Sequence, residues 1–160
     1  MRVLAALCVL ALLPVPVSFP QANSPRVILR LSVPRGGPPQ VGIENAAATA
    51  LVLSGVTYLT LSSAEDPVPR YWAHVDTDAT PSRHGAVRLP ARGKMTASVD
   101  PADLLWAPDR TGMSAEQPLG RAVMPGTYDL RVQMMGPDGA WWRSNDVRVT
   151  VGRSGSLRYN

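Results

Sequence analysis

Thr127-Tyr-Asp-Leu-Arg-Val-Gln-Met134, then Gly136-Pro-Asp-Gly139, then Trp141-Trp-Arg-Ser-Asn-Asp-Val-Arg-Val-Thr-Val151 is the clearest structural statement in the chain. Tyr128, Leu130, Val132 and Met134 share one parity, and Thr127, Asp129, Arg131 and Gln133 share the other. Side chains on a strand alternate between its two faces, so this is a half-buried strand. Pro-Asp-Gly is turn chemistry, and the return strand opens at Trp141-Trp142 and closes on Val147, Val149 and Val151, offset by Ser144-Asn145. The segment reads as a β-hairpin.

The same alternation recurs toward the N-terminus. Val27, Leu29, Leu31 and Val33 oppose Arg26, Arg30 and Ser32, and Val41 and Ile43 begin a strand ending at Asn45. The alanine-rich 45–50 is too short for an isolated helix and reads as a connection. Leu51–Leu61 is one bulged strand or two strands broken at Gly55. Arg70–Val75 reads as a central strand with Trp72 in the core, and Asp76–Gly85 reads as a polar loop. Short strands follow around Val87 and Leu89 and from Met95 to Val99. Asp100–Trp106 reads as one helical turn, with Asp100 as N-cap and Pro101 at the first position. Trp106 then plugs the end of the core, and 108–118 is a long loop.

Outside this domain, Met1-Arg2 followed by the apolar run Val3–Leu13 and by Pro14 and Pro16 has the form of a secretory signal, and the run is too short to span a membrane. The expected organisation is a signal peptide over 1–22, one sandwich domain over 23–152 and a flexible tail over 153–160. The expected location is secreted or periplasmic, with no membrane span after cleavage.

Composition agrees with an ordered, turn-rich β domain. The chain of 160 residues has 13 Gly, 16 Pro and a single cysteine, Cys8, within the leader. A disulfide scaffold, a thiolate metal site and cysteine nucleophilic catalysis are excluded for the mature chain. The net charge is +4, but the arginines alternate with apolar residues along strands and form no block. That is a solvated sheet face, and no nucleic-acid partner is expected.

Several residues carry candidate chemistry. His74, Asp76, Asp78 and His84 form the one concentrated ligand set, weak candidates for zinc as His-x-Asp-x-Asp-x5-His, against a plain reading as strand end and turn aspartates. No Gly-x-Ser-x-Gly elbow and no phosphate-cradling loop are present. Trp141 and Trp142 must face opposite sides of their strand. One reaches the core, and the other is either an exposed contact residue beside Arg143 and Met135 or is covered by the 109–118 loop. Arg92 and Lys94, in Leu89-Pro-Ala-Arg-Gly-Lys94, would suit a trypsin-like pocket, although a tight turn has the same composition.

Pro125-Gly-Thr-Tyr-Asp-Leu130 resembles the start of the penultimate strand of immunoglobulin-like sandwiches. With Val41-Gly-Ile-Glu-Asn45, the Arg92–Lys94 turn and the terminal Ser144-Asn145 before Val-x-Val-x-Val, residues 26–151 are similar to the BsuPI-type bacterial proteinase inhibitors and related accessory domains. The resemblance implies an all-β, immunoglobulin-like antiparallel β-sandwich of about seven to nine strands. It makes Tyr128 a corner tyrosine bonded back to the chain, Leu130 a core residue and Trp72 the central tryptophan.

The expected function is a secreted, non-enzymatic binding or accessory module without cofactor. It would engage another extracytoplasmic protein through its end loops and the Trp141/Trp142 hairpin, with Trp141, Trp142, Arg143, Arg92 and Lys94 as contact residues. A proteinase inhibitor presenting a proline-rich loop is the first alternative. A small metal-dependent hydrolase using His74, Asp76 and His84 is the second.

Overall fold

The computed structural model describes residues 27–82, 85–108, 110, 115–136 and 139–160. In chain order the strands are β1 (Val27–Ser32), β2 (Gln40–Asn45), β3 (Leu51–Leu53), β4 (Thr57–Ser63), β5 (Asp66–Val75), β6 (Val87–Leu89), β7 (Lys94–Ser98), β8 (Leu105–Ala107) and β9 (Gln117–Pro118). A short helix α1 (Leu119–Ala122) precedes β10 (Gly126–Met135), β11 (Trp141–Arg143), β12 (Val147–Val151) and β13 (Leu157–Tyr159). The chain is all-β, and every strand pairing is antiparallel. The segment count exceeds the expected seven to nine because several pieces are only two or three residues long; β1, β2, β4, β5, β7, β10 and β12 run five residues or more.

The large sheet has the order β13-β12-β10-β4-β5-β8-β9, with β11 also on β10. The small sheet is β1-β2-β7, and β3 pairs with β6. One core lies between the sheets. Leu29, Leu31, Val41, Ile43 and Ala97 enter it from the small sheet, and Leu59, Leu61, Ala73, Val75, Leu130, Val132, Met134, Val149 and Val151 from the large one. With one cysteine in the chain there is no intrachain disulfide, so apolar burial and hydrogen bonds hold the sandwich together. Among the described residues, no helix is long and apolar enough to cross a membrane.

Local devices join the layers. Gly55 breaks 51–63 into β3 and β4. Its φ is +132°, and a Cβ there would lie 2.5 Å from the Met135 carbonyl oxygen, so only glycine admits the crossing. Asn145, in the offset between β11 and β12, reaches the other sheet. It accepts from the Leu31 amide and donates to the Leu31 carbonyl, both at 2.9 Å, taking the place of a neighbouring strand at that point of the β1 edge. The buried Asn45 donates to the carbonyls of Thr49 and Pro90, each at 2.8 Å, and accepts from Ala47 N at 2.9 Å. It thereby fixes the alanine-rich connection, which is not helical. Tyr128 donates its hydroxyl proton to the Met124 carbonyl at 2.8 Å, and Leu130 two residues on is fully buried.

Three expectations are corrected. Trp72 is half-buried and faces away from the core; Ala73 and Val75, of opposite parity, face inward. The buried tryptophan is Trp106, 0% exposed and directly across from Ala73, which is 1% exposed. A small residue on β5 leaves room for the indole from β8, whose Nε1–H donates to the Pro101 carbonyl at 2.8 Å. Asp100–Trp106 is a turn running into β8 instead of a helical turn. Asp100 accepts from Ala102 N at 2.9 Å, as a cap would, but the chain then extends to pair with β5. The C-terminal residues expected as a flexible tail form β13, which pairs with β12 through Val149↔Tyr159 and Val151↔Leu157 after a turn with Gly155 at φ +79°.

Candidate functional site

Register on the large sheet decides which side chains share its outer face. Tyr58 on β4 is paired with His74 on β5 and Gln133 on β10, and Thr60 is paired with Trp72. Gln133 is paired in turn with Arg143, and Met135 with Trp141, on β11. Strand alternation therefore brings Tyr58, Thr60, Trp72, His74, Gln133, Trp141 and Arg143 to one surface.

At its centre the aromatic rings contact one another. Tyr58 meets Trp72 edge to face, with centroids 5.4 Å apart and planes at 85°. Trp141 lies 5.9 Å from Tyr58 and 6.3 Å from Trp72, and His74 tilts against Tyr58 at 4.5 Å. The Arg110 guanidinium, from the loop between β8 and β9, stands over both indoles, 5.8 Å from Trp72 and 5.4 Å from Trp141. These separations are in the range of cation–π attraction. Tyr58 is buried, Trp72 and Trp141 are half-buried, and Arg110 is exposed.

The floor beside the rings is polar yet closed to water. Thr60 is 0% and Gln133 2% exposed. Gln133 Nε2 donates to Thr60 Oγ1, and Thr60 Oγ1 donates to the Arg131 carbonyl, both at 3.4 Å. Among the described residues, no buried side-chain nitrogen or oxygen lacks a partner. Further along, Arg131 forms a two-pronged pair with Asp146, with Nη2 to Oδ2 at 2.8 Å, and Arg148 pairs with Asp129 at 2.7 Å. The hydrogen bonds to Asp146 hold the Arg131 guanidinium above its ordinary pKa despite its burial.

The adjacent tryptophans divide as alternation requires. Trp142 packs against the core, while Trp141 and the exposed Arg143 lie on the outer face. Trp141 is covered in part by Arg110, a residue of the 109–118 loop. Arg92 and Lys94 lie elsewhere, at the turn before β7. Arg92, at φ +56°, donates from its backbone N to the Ala47 carbonyl at 3.1 Å and from Nη1 to the Ala46 carbonyl. Lys94 Nζ is 3.1 Å from Glu44. Asp76 and Asp78 are exposed and line a separate crevice with Thr77 and Thr80. His84 is outside the described residues, among which no group of three His, Cys, Asp or Glu side chains is placed to hold a metal ion.

Tyr58 and Arg110 were not singled out from the sequence. Tyr58 sits in a strand of mixed Thr, Leu and Ser whose register to β5 and β11 the sequence does not state. Arg110 lies in a loop, where alternation carries no information. No family model matches the chain, and neither a curated protein nor a solved structure does.

Proposed function

We propose that the protein is an exported, non-enzymatic accessory module of immunoglobulin-like design that binds another extracytoplasmic protein through the outer face of its large sheet. The carrying observation is the Tyr58–Trp72–Trp141 cluster with Arg110 above it. Tryptophan, tyrosine and arginine are the residue types that dominate binding energy at protein interfaces. The rings are already fixed against one another, so a partner would order few side chains on docking. The immunoglobulin-like reading draws support from the Tyr128 hydroxyl bonded back to Met124 and from Leu130 buried beneath it. The export reading rests on the 1–22 leader pattern. The inhibitor alternative has less behind it, because both the amide and the guanidinium of Arg92 are taken up by the chain's own carbonyls.

The test has two stages. Immobilised wild-type, Trp141→Ala and Arg110→Ala proteins are compared for capture from the extracytoplasmic fraction by quantitative peptide mass spectrometry. A protein retained only by wild type is then purified and titrated calorimetrically. Trp141→Ala should weaken binding by about 2 kcal/mol or more, roughly 30-fold. Equal affinity of wild type and both variants for the purified partner would sink the proposal.

A further inference from the structure

Gly42 lies within β2, the middle strand of the small sheet. It is paired with Arg30 on β1 and Thr96 on β7, and in the adjoining row Glu44 stands between Ile28 and Lys94. Val41 and Ile43 are buried in the core, so this set faces outward, on the opposite side of the sandwich from Trp141. A side chain is missing where the rows need one, and a notch of about 270 Å³ lies over the gap.

Neither conformation nor packing requires glycine there. Gly42 is not among the residues with positive φ, and both neighbouring ladders run without a register shift. A Cβ built at Gly42 meets nothing nearer than Arg30 Cβ and O at 3.8 Å, which is ordinary contact. Glycine weakens a strand interior and is often found there at a bulge, a tight bend, or where a ligand or another backbone comes close; at Gly42 no bulge, bend or crowding backbone accounts for it. The walls indicate which ligand. Ile28, 37% exposed, supplies an apolar wall of the notch. Lys94 and Glu44 neutralise each other at 3.1 Å. Arg30 is exposed and makes no ion pair among the described residues, so it is the uncompensated cation beside the notch.

We propose that the Gly42 notch binds a compact apolar group bearing a carboxylate, the apolar part over Gly42 against Ile28 and the carboxylate on Arg30. The volume is below that of pockets enclosing whole drug-sized ligands, which suits a single ring or branched chain. A free aromatic or aliphatic acid and the C-terminal residue of a peptide share this chemistry.

Amide chemical shifts of the full chain are followed while 3-phenylpropionate, the uncharged 3-phenylpropanol, and acetyl-Gly-Gly-Phe with free or amidated terminus are added. The acid should give saturable shifts at residues 28–32, 40–44 and 94–96, with the alcohol about tenfold weaker, as expected for loss of one charged hydrogen bond. Arg30→Gln should reduce the acid to the alcohol's affinity and leave the alcohol unchanged. Gly42→Val should abolish both. Gly42→Ala should keep or raise the thermal midpoint, since glycine serves no folding purpose here. Tighter binding of the free-terminus peptide than of phenylpropionate assigns a chain terminus as the source, and the reverse order assigns a free acid; either order supports the site. The proposal is overturned by absence of saturable shifts up to ~10 mM acid, a level that would already detect millimolar affinity. It is equally overturned by equal binding of acid and alcohol, by undiminished binding to Gly42→Val, or by a lowered midpoint for Gly42→Ala.

Discussion

Replacing Trp106 and Trp72 separately with alanine distinguishes two placements of the core tryptophan. Trp106 is 0% exposed, faces Ala73 and donates its indole N–H to Pro101 at 2.8 Å. Trp106→Ala removes a fully buried bicyclic ring and leaves a cavity that Ala73 is too small to fill. It also strands the Pro101 carbonyl. Truncations of this kind cost about 3–5 kcal/mol, and an unsatisfied buried acceptor keeps the value near the upper end. Trp72 is half-buried on the outer face, where it meets Tyr58 edge to face at 5.4 Å and lies under Arg110. Half the transfer free energy of an aromatic ring plus the edge contact with Tyr58 comes to about 1–3 kcal/mol.

Small domains have only about 5–15 kcal/mol of stability, so Trp106→Ala should bring the protein close to unfolding while Trp72→Ala leaves a well-folded chain. Urea titration followed by far-ultraviolet circular dichroism measures both, free of the changes in tryptophan emission that either substitution brings. Trp106→Phe serves as the milder control if the alanine variant fails to fold, and it should still lose more stability than Trp72→Phe. A Trp72 variant as destabilised as the matching Trp106 variant would refute the assignment of inner and outer faces on β5, and with it the aromatic surface proposed for binding.

Three further outcomes follow from single contacts. Tyr128→Phe loses the hydroxyl bond to Met124 at 2.8 Å and should lower the urea midpoint by the equivalent of about 1 kcal/mol, with the slope unchanged. Asn145→Ala loses both 2.9 Å bonds to Leu31 and should cost about 1–3 kcal/mol; faster hydrogen exchange at the Leu31 amide would locate the loss at the β1 edge. Burial, and then the charge of Asp100, push the Tyr159 hydroxyl from 10.0 up to about 12. The folded chain thus holds this proton more tightly than the unfolded one, so the contribution is fully present below pH 10.0 and is lost as pH rises from there toward about 12. Tyr159→Phe should flatten that alkaline limb, and an unchanged limb would assign the loss to other groups.

Strand positions and most inward residues were legible because alternation is a local property. Tyr128, Leu130, Val132 and Met134 are all buried, and Ser144-Asn145 does offset the return strand. Alternation separates two faces without saying which is inward. On β5 the heavier apolar residue, Trp72, is on the outside, because the space opposite Ala73 is filled by Trp106, a residue 33 positions further along the chain. Complementarity between distant strands has no signature in either strand alone. The same reason hid the candidate site. Thr60, Ser62 and Gln133 are polar residues on the side of their strands opposite the core, yet all three are buried. A sheet face that only met water would leave such residues open to it. Here they are closed off and the aromatic rings beside them contact one another, so this face is already organised in the chain alone. That pre-organisation, more than the number of aromatic residues, is the reason the outer face and not the proline-rich loops is proposed as the binding surface.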